Sequence, residues 1–542
     1  MCIRDRILEE LGYEDIQVLQ LLRKGATLAG DIEPTPVFQK QYKPCMQTLP
    51  QLHEGARVKN QAILNMTRSS GSQQVDQTLL DEIMDEVAKG WARGPFRLDE
   101  LEPDAVVSRR FPLQQSNKTR LIDDFSVSGI NETCTVHNKV DLHMIDTPAA
   151  LTNKFFLRCE ELGADSTIRA KTFDLKSAYR QIPVKEEHLR YAYFSIYNCQ
   201  KGHAEVYQLV TLPFGATHSV YAFLRFAKML HFIATRGLYL LSTNFFDDFI
   251  LLSRPAAQEN ASRAMELVFM ITGWEFAREG KKKTEFSSLC KALGVVVDLS
   301  LSSERKMLIE NTEQRKNELK DMIMLALEKN SLSRQEALVL RGKLGFADSF
   351  AHGRLGVLVL SKLIEHAYGA QKTIDESLKT ALKFILARLQ FGKPRMVSAK
   401  RLKQWYIFSD ASFQQEEQIG GLGGVLIDDL GACLAWFGLQ LNSAMCHNFG
   451  ADVKDTIIYE LEMLAAVLSM LLWGDRIAEG LQVLFLDNEA VRFALIKGHA
   501  DGCIANALMR IHLVHEATQV SQAWFARVPT ESNIGDPPSR KC

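Results

Sequence analysis

A chain of 542 residues exceeds the roughly 250–300 residues that one hydrophobic core serves, so two to four structural units are expected. Apolar residues make up 46% and charged residues 24%, an ordinary globular composition, and no apolar run approaches the roughly 18 residues of a membrane span, so no membrane partner is expected. Lys plus Arg (64) balances Asp plus Glu (65), so a polyanion must be met by local patches rather than a global field. The ten cysteines are scattered without a CxxC pair, which argues against zinc and against a disulfide framework. With no secretory pattern in MCIRDR, an intracellular location is expected, cytoplasm or nucleus.

Residues 1–95 read as a mostly helical region with no chemistry to assign. Within it, VDQTLLDEIMDEVAKGWA predicts a helix over 75–92 with Leu79, Leu80, Ile83, Met84 and Val87 on one face, ended by Gly94-Pro95. From 96 to 300, short strand-like runs alternate with helices. Alternation around Phe173 and Leu175 in KTFDLKSAYRQIPV predicts a strand that leaves Asp174 at a sheet rim. The run TLPFGATHSVYAFLRFAKML predicts a turn in which Gly215 permits close backbone approach. Ser219 is placed to cap a helix buried through Val220, Phe223, Leu224, Ala227 and Leu230.

In LYLLSTNFFDDFILLS, two strands flank a tight turn that holds Asp247 and Asp248. Aspartate is common in turns because it caps its own backbone, but a solvated turn rarely carries Phe on both sides. Two carboxylates in an apolar setting repel and raise at least one pKa unless a cation neutralises them. Mg²⁺, a hard ion that takes oxygen ligands, is the natural candidate. Asp174 reads on its own as a surface charge at a strand end. On a neighbouring strand it would complete a set able to hold two Mg²⁺ ions roughly 3.5–4 Å apart, the spacing for in-line phosphoryl transfer.

Residues 301–391 carry three amphipathic, Lys/Arg-bearing helical patterns, TEQRKNELKDMIMLALEKN, SRQEALVLRGKLGFADSF and ESLKTALKFILARL. The basic, apolar-poor run over 392–404 reads as a linker. Strands and helices then alternate over 405–542, predicting a mixed α/β domain.

The order of these pieces resembles the palm of a reverse transcriptase. FDLKSAY resembles the first catalytic motif, LPFGATHSVYAF the template and nucleotide platform, and FFDD the YxDD box. RRFPLQQSNKTRLIDDFSVSGIN resembles the fingers motif KxRxxxDF, and KKKTEFSSLCKALGVVVDL the segments that close the palm. The likeness is nearest to LTR-type and DIRS-type retroelement enzymes. It implies an α+β multidomain fold: a right-hand polymerase with fingers and palm over 96–300 and a thumb or connection over 301–391. It further implies that Asp174, Asp247 and Asp248 hold two metals, that Lys118 and Arg120 neutralise the triphosphate, and that Tyr179 is a steric gate against ribonucleotides. Phe214 and Gly215 would contact nucleotide and template. Lys283 would serve the leaving pyrophosphate, with Lys281 and Lys282 equally placed. Val220 departs from the usual platform Pro and Phe245 from the usual Tyr, and neither change removes a metal ligand.

The C-terminal set Asp410 in YIFSDAS, Glu462 in YELEMLAAV, Asp487 in LFLDNEAV and Asp536 in SNIGDPPSR resembles the DEDD set of an RNase H-like α/β domain. Glu462 is preferred to Glu460 on the family pattern E(L/M)xA. The resemblance implies an RNA-directed DNA polymerase with ribonuclease H activity, from a retrotransposable element. It would use two Mg²⁺ per active site, with Mn²⁺ as an alternative. The implied partners are an RNA template, a DNA primer, an RNA:DNA hybrid and dNTPs; oligomeric state is left open. The runner-up is a catalytically inactive or truncated relative that binds nucleic acid.

Overall fold

In the computed structural model, the described residues are 3–115, 118–350, 354–399, 403–450, 456–478, 480–519 and 522–540, with the side chains of 114–120, 281 and 522 outside the description. The chain is α+β and forms two compact units, one of residues 1–152 and 167–293, the other of 153–166 and 294–542. Among the described residues, no helix is long and apolar enough to cross a membrane.

In the first unit, residues 1–95 carry the helices Ile3–Leu11, Val18–Lys24, Leu49–His53, Ala56–Met66 and Gln73–Ala88 and pack into the same core as the residues that follow. Leu8, Val18, Leu28, Leu79 and Ile83 share one buried core with Phe173, Phe223, Phe249 and Phe269. The expected helix over 75–92 runs Gln73–Ala88 and stops at Gly90, whose φ of 71° closes it before Gly94-Pro95. Met84, expected on the buried face, is 51% exposed. Gly94 and Pro95 lie instead in the strand Ala92–Phe96, at one edge of a five-stranded sheet. That sheet continues through His203–Leu209, Tyr193–Asn198 and Val107–Gln115 to Lys118–Asp124.

A three-stranded antiparallel sheet carries Asp248–Ser253 at its centre, between Arg169–Asp174 and Leu241–Phe245. The central strand is buried over Phe249–Ser253, which explains its near-continuous apolar sequence. Behind it, helix Thr217–Phe232 buries residues on almost every side, among them Phe223, Phe226 and Leu230. Ser219 does not cap this helix, which begins two residues earlier; the Thr217 N–H is taken by the Asn131 side chain at 2.9 Å. Ser219 Oγ is buried and has no hydrogen-bond partner among the described residues.

A buried chain of charges ties these pieces together. Arg110, on strand Val107–Gln115, makes a two-pronged contact with Asp123 (2.5 and 3.1 Å) and a 2.6 Å bond to Glu86 of helix Gln73–Ala88. Glu86 also receives Arg180 Nε at 2.8 Å, and Arg180 Nη1 donates to the Leu212 carbonyl at 2.7 Å. Burial pulls the Glu86 carboxyl upward, but Arg110 and Arg180 outweigh it and leave its pKa below the usual value.

In the second unit, four helices occupy the stretch where three are legible: Glu313–Lys329, Arg334–Asp348, Gly356–Tyr368 and Glu376–Phe391. Residues 395–398, inside the expected linker, form a strand paired with Lys306–Asn311. A five-stranded sheet follows in the order Cys433–Leu441, Ile419–Ile427, Gln404–Gln414, Leu481–Leu486, Gln522–Arg527. Its first three strands pair antiparallel and its last three parallel. Arg354 joins the helices to this domain, meeting Glu516 at 3.1 Å and the Leu495 carbonyl at 2.5 Å.

Replacing Glu86 by Gln leaves Arg180 buried without its carboxylate partner and Arg110 with Asp123 alone, so denaturant unfolding of the Glu86→Gln protein is expected to show a loss of about 3 kcal/mol. A change below about 1 kcal/mol would show that the charge chain does not hold the unit together.

Candidate functional site

The register of the central sheet sets Asp248 directly opposite Asp174, and opposite Phe245 on its other side. Two residues, Phe246 and Asp247, make the turn, and Phe246 takes the left-handed conformation with φ 49°. The Leu175 N–H donates to the Asp247 carbonyl at 3.3 Å, closing the turn over the end of the first strand. Three carboxylates from two sequence regions thus share one sheet end. Burial first, then Asp247 and Asp174, push the Asp248 carboxyl up to about 6.

A lysine answers part of this charge. Lys282 Nζ reaches both Asp174 oxygens, at 2.6 and 2.7 Å. Lys283, the expected residue, turns to Glu285 at 3.4 Å, so of the described lysines in KKK it is Lys282 that meets the acids. Lys118 and Arg120 lie by backbone on strand Lys118–Asp124, but their side chains fall outside the described residues.

Tyr179 follows Asp174 through a tight turn in which Ser177 has φ 46°. Its ring packs against Phe223 (5.2 Å) and edge-on to Phe214 (5.7 Å). Burial, then Asp247, push its hydroxyl up to about 12, so it stays protonated beside the acids. Phe214 is 45% exposed. Gly215 has φ 115°, and a Cβ there would stand 2.2 Å from the Asp123 carbonyl, so only glycine lets this turn lie this close to strand Lys118–Asp124.

Two histidines that sequence reasoning passed over hold the hairpin's outer strand, Leu241–Phe245. His143 Nδ1 lies 3.3 Å from the Asn244 N–H and His231 Nε2 lies 2.8 Å from the Ser242 carbonyl, the two rings meeting edge-on at 4.7 Å. Burial, then His231, push His143 down to about 4, so it is neutral and accepts the Asn244 N–H. Nothing in the sequence spacing marks either residue.

In the second unit, ligand oxygens of Asp410, Glu462 and Asp487 lie within 4.8 Å of one another, the one such group among the described residues. Asp410 comes from the central strand, Glu462 from helix Ile458–Leu472 and Asp487 from the end of Leu481–Leu486. Glu462, not Glu460, supplies the oxygen. Asp536 is not in the cluster; its carboxylate takes Arg540 Nε at 2.7 Å. Asp410 accepts Ser539 Oγ at 2.6 Å and Asn533 Nδ2 at 3.2 Å. Gly421 makes that contact possible, since a Cβ there would stand 1.8 Å from the Ser539 carbonyl.

These acids fit a divalent cation. Glu462 Oε2 and Asp487 Oδ1 are buried and have no hydrogen-bond partner among the described residues. Burial, then Asp410 and Asp487, push Glu462 up to about 9; burial, despite the Ser539 hydrogen bond, pushes Asp410 up to about 6. Unpaired oxygens on like-charged acids are what a hard, oxygen-seeking ion neutralises.

Residues 123–297 match the family described as reverse transcriptase (RNA-dependent DNA polymerase), a span that includes Asp174, Tyr179, Gly215, Asp247, Asp248 and Lys282. No curated protein matches the chain. Among solved structures it is similar to the foamy viral protease-reverse transcriptase dRH in complex with double-stranded DNA, at 11% identity and TM-score 0.44, over 91% of this chain and 83% of that one. It is also similar to the foamy viral protease-reverse transcriptase in complex with an RNA/DNA hybrid, at 11% identity and TM-score 0.46, over 98% of this chain and 64% of that one.

The raised carboxyls carry a testable sign. Glu462 ordinarily titrates at 4.5 and Asp410 at 3.8, so on folding without metal both take up protons, and their stability contribution falls as pH rises from about 4 to about 9. Mg²⁺ bound by these acids would displace those protons, so the rise it gives in thermal midpoint is expected to grow between pH 5 and 9. Glu462→Gln is expected to remove the part of that growth above pH 6. A Mg²⁺ effect that is flat with pH would refute protonated carboxyls at this cluster.

Proposed function

We propose that the chain is an RNA-directed DNA polymerase that copies RNA into DNA, with a ribonuclease H that degrades the RNA strand of the resulting hybrid, from an LTR-type or DIRS-type retrotransposable element. The observation that carries the polymerase half is Asp248 set opposite Asp174 in strand register, inside the reverse transcriptase domain.

Asp174, Asp247 and Asp248 would hold Mg²⁺, or Mn²⁺ in its place. Bound ions supply a lowered pKa at the attacking hydroxyl and charge neutralisation on the phosphate. Around them, Phe214 and Gly215 form the floor on which template and dNTP lie. Lys118 and Arg120 neutralise the triphosphate. The Tyr179 ring, fixed between Phe214 and Phe223, stands where a ribose 2′-hydroxyl would collide. Lys282 keeps a positive charge beside Asp174, ready to meet phosphate oxygens. Phe245 next to the turn offers the primer end a ring without a hydroxyl.

The ribonuclease half is supported by the unpaired oxygens of Glu462 and Asp487 beside Asp410, on a sheet whose antiparallel hairpin and parallel strands bring the three together. Asp536 would join as the fourth acid by releasing Arg540. The helices over 313–391 serve as thumb and connection, gripping the duplex backbone through Lys and Arg.

Primer extension on an RNA template with Mg²⁺ and dNTPs is expected from the wild type and to fall to background in Asp247→Asn/Asp248→Asn. Hybrid cleavage is expected to survive that change and to be lost in Asp410→Asn. Equal extension by wild type and the palm variant defeats the polymerase reading; cleavage untouched by Asp410→Asn defeats the ribonuclease reading. Tyr179→Val is expected to admit ribonucleotides while extension with dNTPs continues.

A further inference from the structure

The ribbon formed by Gln39–Lys43 and Val136–Lys139 has no part in either acidic site. Every residue of Gln39–Lys43 is exposed, and Lys139 stands in solvent opposite Gln39. Among the described residues, no carboxylate pairs with Lys40, Lys43 or Lys139. Tyr42 is 70% exposed, its ring 5.8 Å from that of His137. Beside it runs an open groove of about 550 Å³ walled by Pro34, Pro36, Tyr42 and His137, with Lys40 at its side and no acidic residue among its lining.

The ribbon is firmly seated. Asn138, 2% exposed, accepts the Thr35 N–H at 2.9 Å and donates to the Thr35 and Phe38 carbonyls at 3.0 and 3.1 Å. Tyr221 donates its hydroxyl to the Asn138 carbonyl at 2.9 Å. Tyr221 lies one turn into helix Thr217–Phe232, about 6 Å along the axis from its start beside Gly215. A strand passing the platform therefore has the ribbon within reach.

Unpaired lysines recognise phosphates, and flat exposed rings beside an open groove recognise bases. A duplex keeps its bases stacked inside and offers Tyr42 nothing to stack on; a single strand offers both. We infer that this ribbon is a binding site for single-stranded nucleic acid, with a base on Tyr42 in the groove and backbone phosphates on Lys40, Lys43 and Lys139. The inference deepens the nucleic-acid reading proposed above, and rests on it for the origin of the strand.

The test is fluorescence anisotropy of the full chain with a labelled 20-nucleotide oligouridine and, separately, a blunt RNA:DNA duplex. Tyr42→Ala is expected to weaken oligouridine binding about tenfold and leave the duplex unchanged, with Tyr42→Phe restoring it. Lys40→Gln/Lys43→Gln/Lys139→Gln is expected to reduce the slope of log affinity against log salt by about 2. These side chains are exposed, so thermal midpoints should match the wild type. Equal oligouridine affinity and salt slope in all variants overturns the inference and leaves the ribbon to a protein partner. Repeating the titrations in Asp247→Asn/Asp248→Asn separates the two readings. A ribbon effect in a chain whose wild type never extends a primer counts against the polymerase alone. An absent ribbon effect in an active enzyme counts against the ribbon alone.

Discussion

The buried run Asp123, Arg110, Glu86, Arg180 is the constraint on which the first unit turns. Its four members come from two sheet strands, a helix and the turn after Asp174, and each sits where an unpaired charge would be costly. Through Arg180 the run holds the Leu212 carbonyl, two residues before Phe214. Through Asp123, whose N–H donates to the Phe214 carbonyl at 3.3 Å, it holds the platform from the other side. Arg110 lies 3.9 Å from the Phe194 ring, so apolar packing and charge pairing fix the same side chain. The segment Leu212–Phe214 is thus positioned by electrostatics buried behind it, and Tyr179 is held in place through its neighbour Arg180.

Both acidic sites share one physical logic. Carboxylates from separated segments converge, burial and mutual repulsion raise some of their pKa values, and part of the charge is met by a nearby cation: Lys282 on Asp174, Arg540 on Asp536. The difference lies in what remains. In the first unit, the lysine already spans both oxygens of one acid, while in the second, Glu462 and Asp487 keep oxygens that no hydrogen bond from the described residues satisfies. The second cluster therefore has the stronger demand for a cation.

Much of this was legible in the residues. The FFDD hairpin, Asp174 at a strand end and the close approach at Gly215 follow from short-range pattern, whereas the preference for Glu462 over Glu460 came from the family resemblance. The misreadings have local causes. The 75–92 helix stopped early because Gly90 reaches the left-handed region before Gly94-Pro95 matters. Residues 395–398 read as linker because an edge strand with intermediate burial carries no apolar run to announce it. Helix Gly356–Tyr368 was missed because its apolar residues follow the last recognised pattern without a clear cap.

What the sequence determined by itself was the order of the acidic residues along the chain and their places at strand ends and turns, since alternation and turn residues set which side chains leave a strand and where. What only the tertiary structure decided was which charges meet. Lys282 and Lys283 are chemically alike and adjacent, yet one faces Asp174 and the other Glu285. Glu86, Arg110 and Arg180 carry no motif, and the partners that make them a network come from distant parts of the chain. The same holds for His143 and His231. Short-range pattern reports how a residue sits on its own helix or strand; pairing energy depends on where other elements land, and that is settled only by packing.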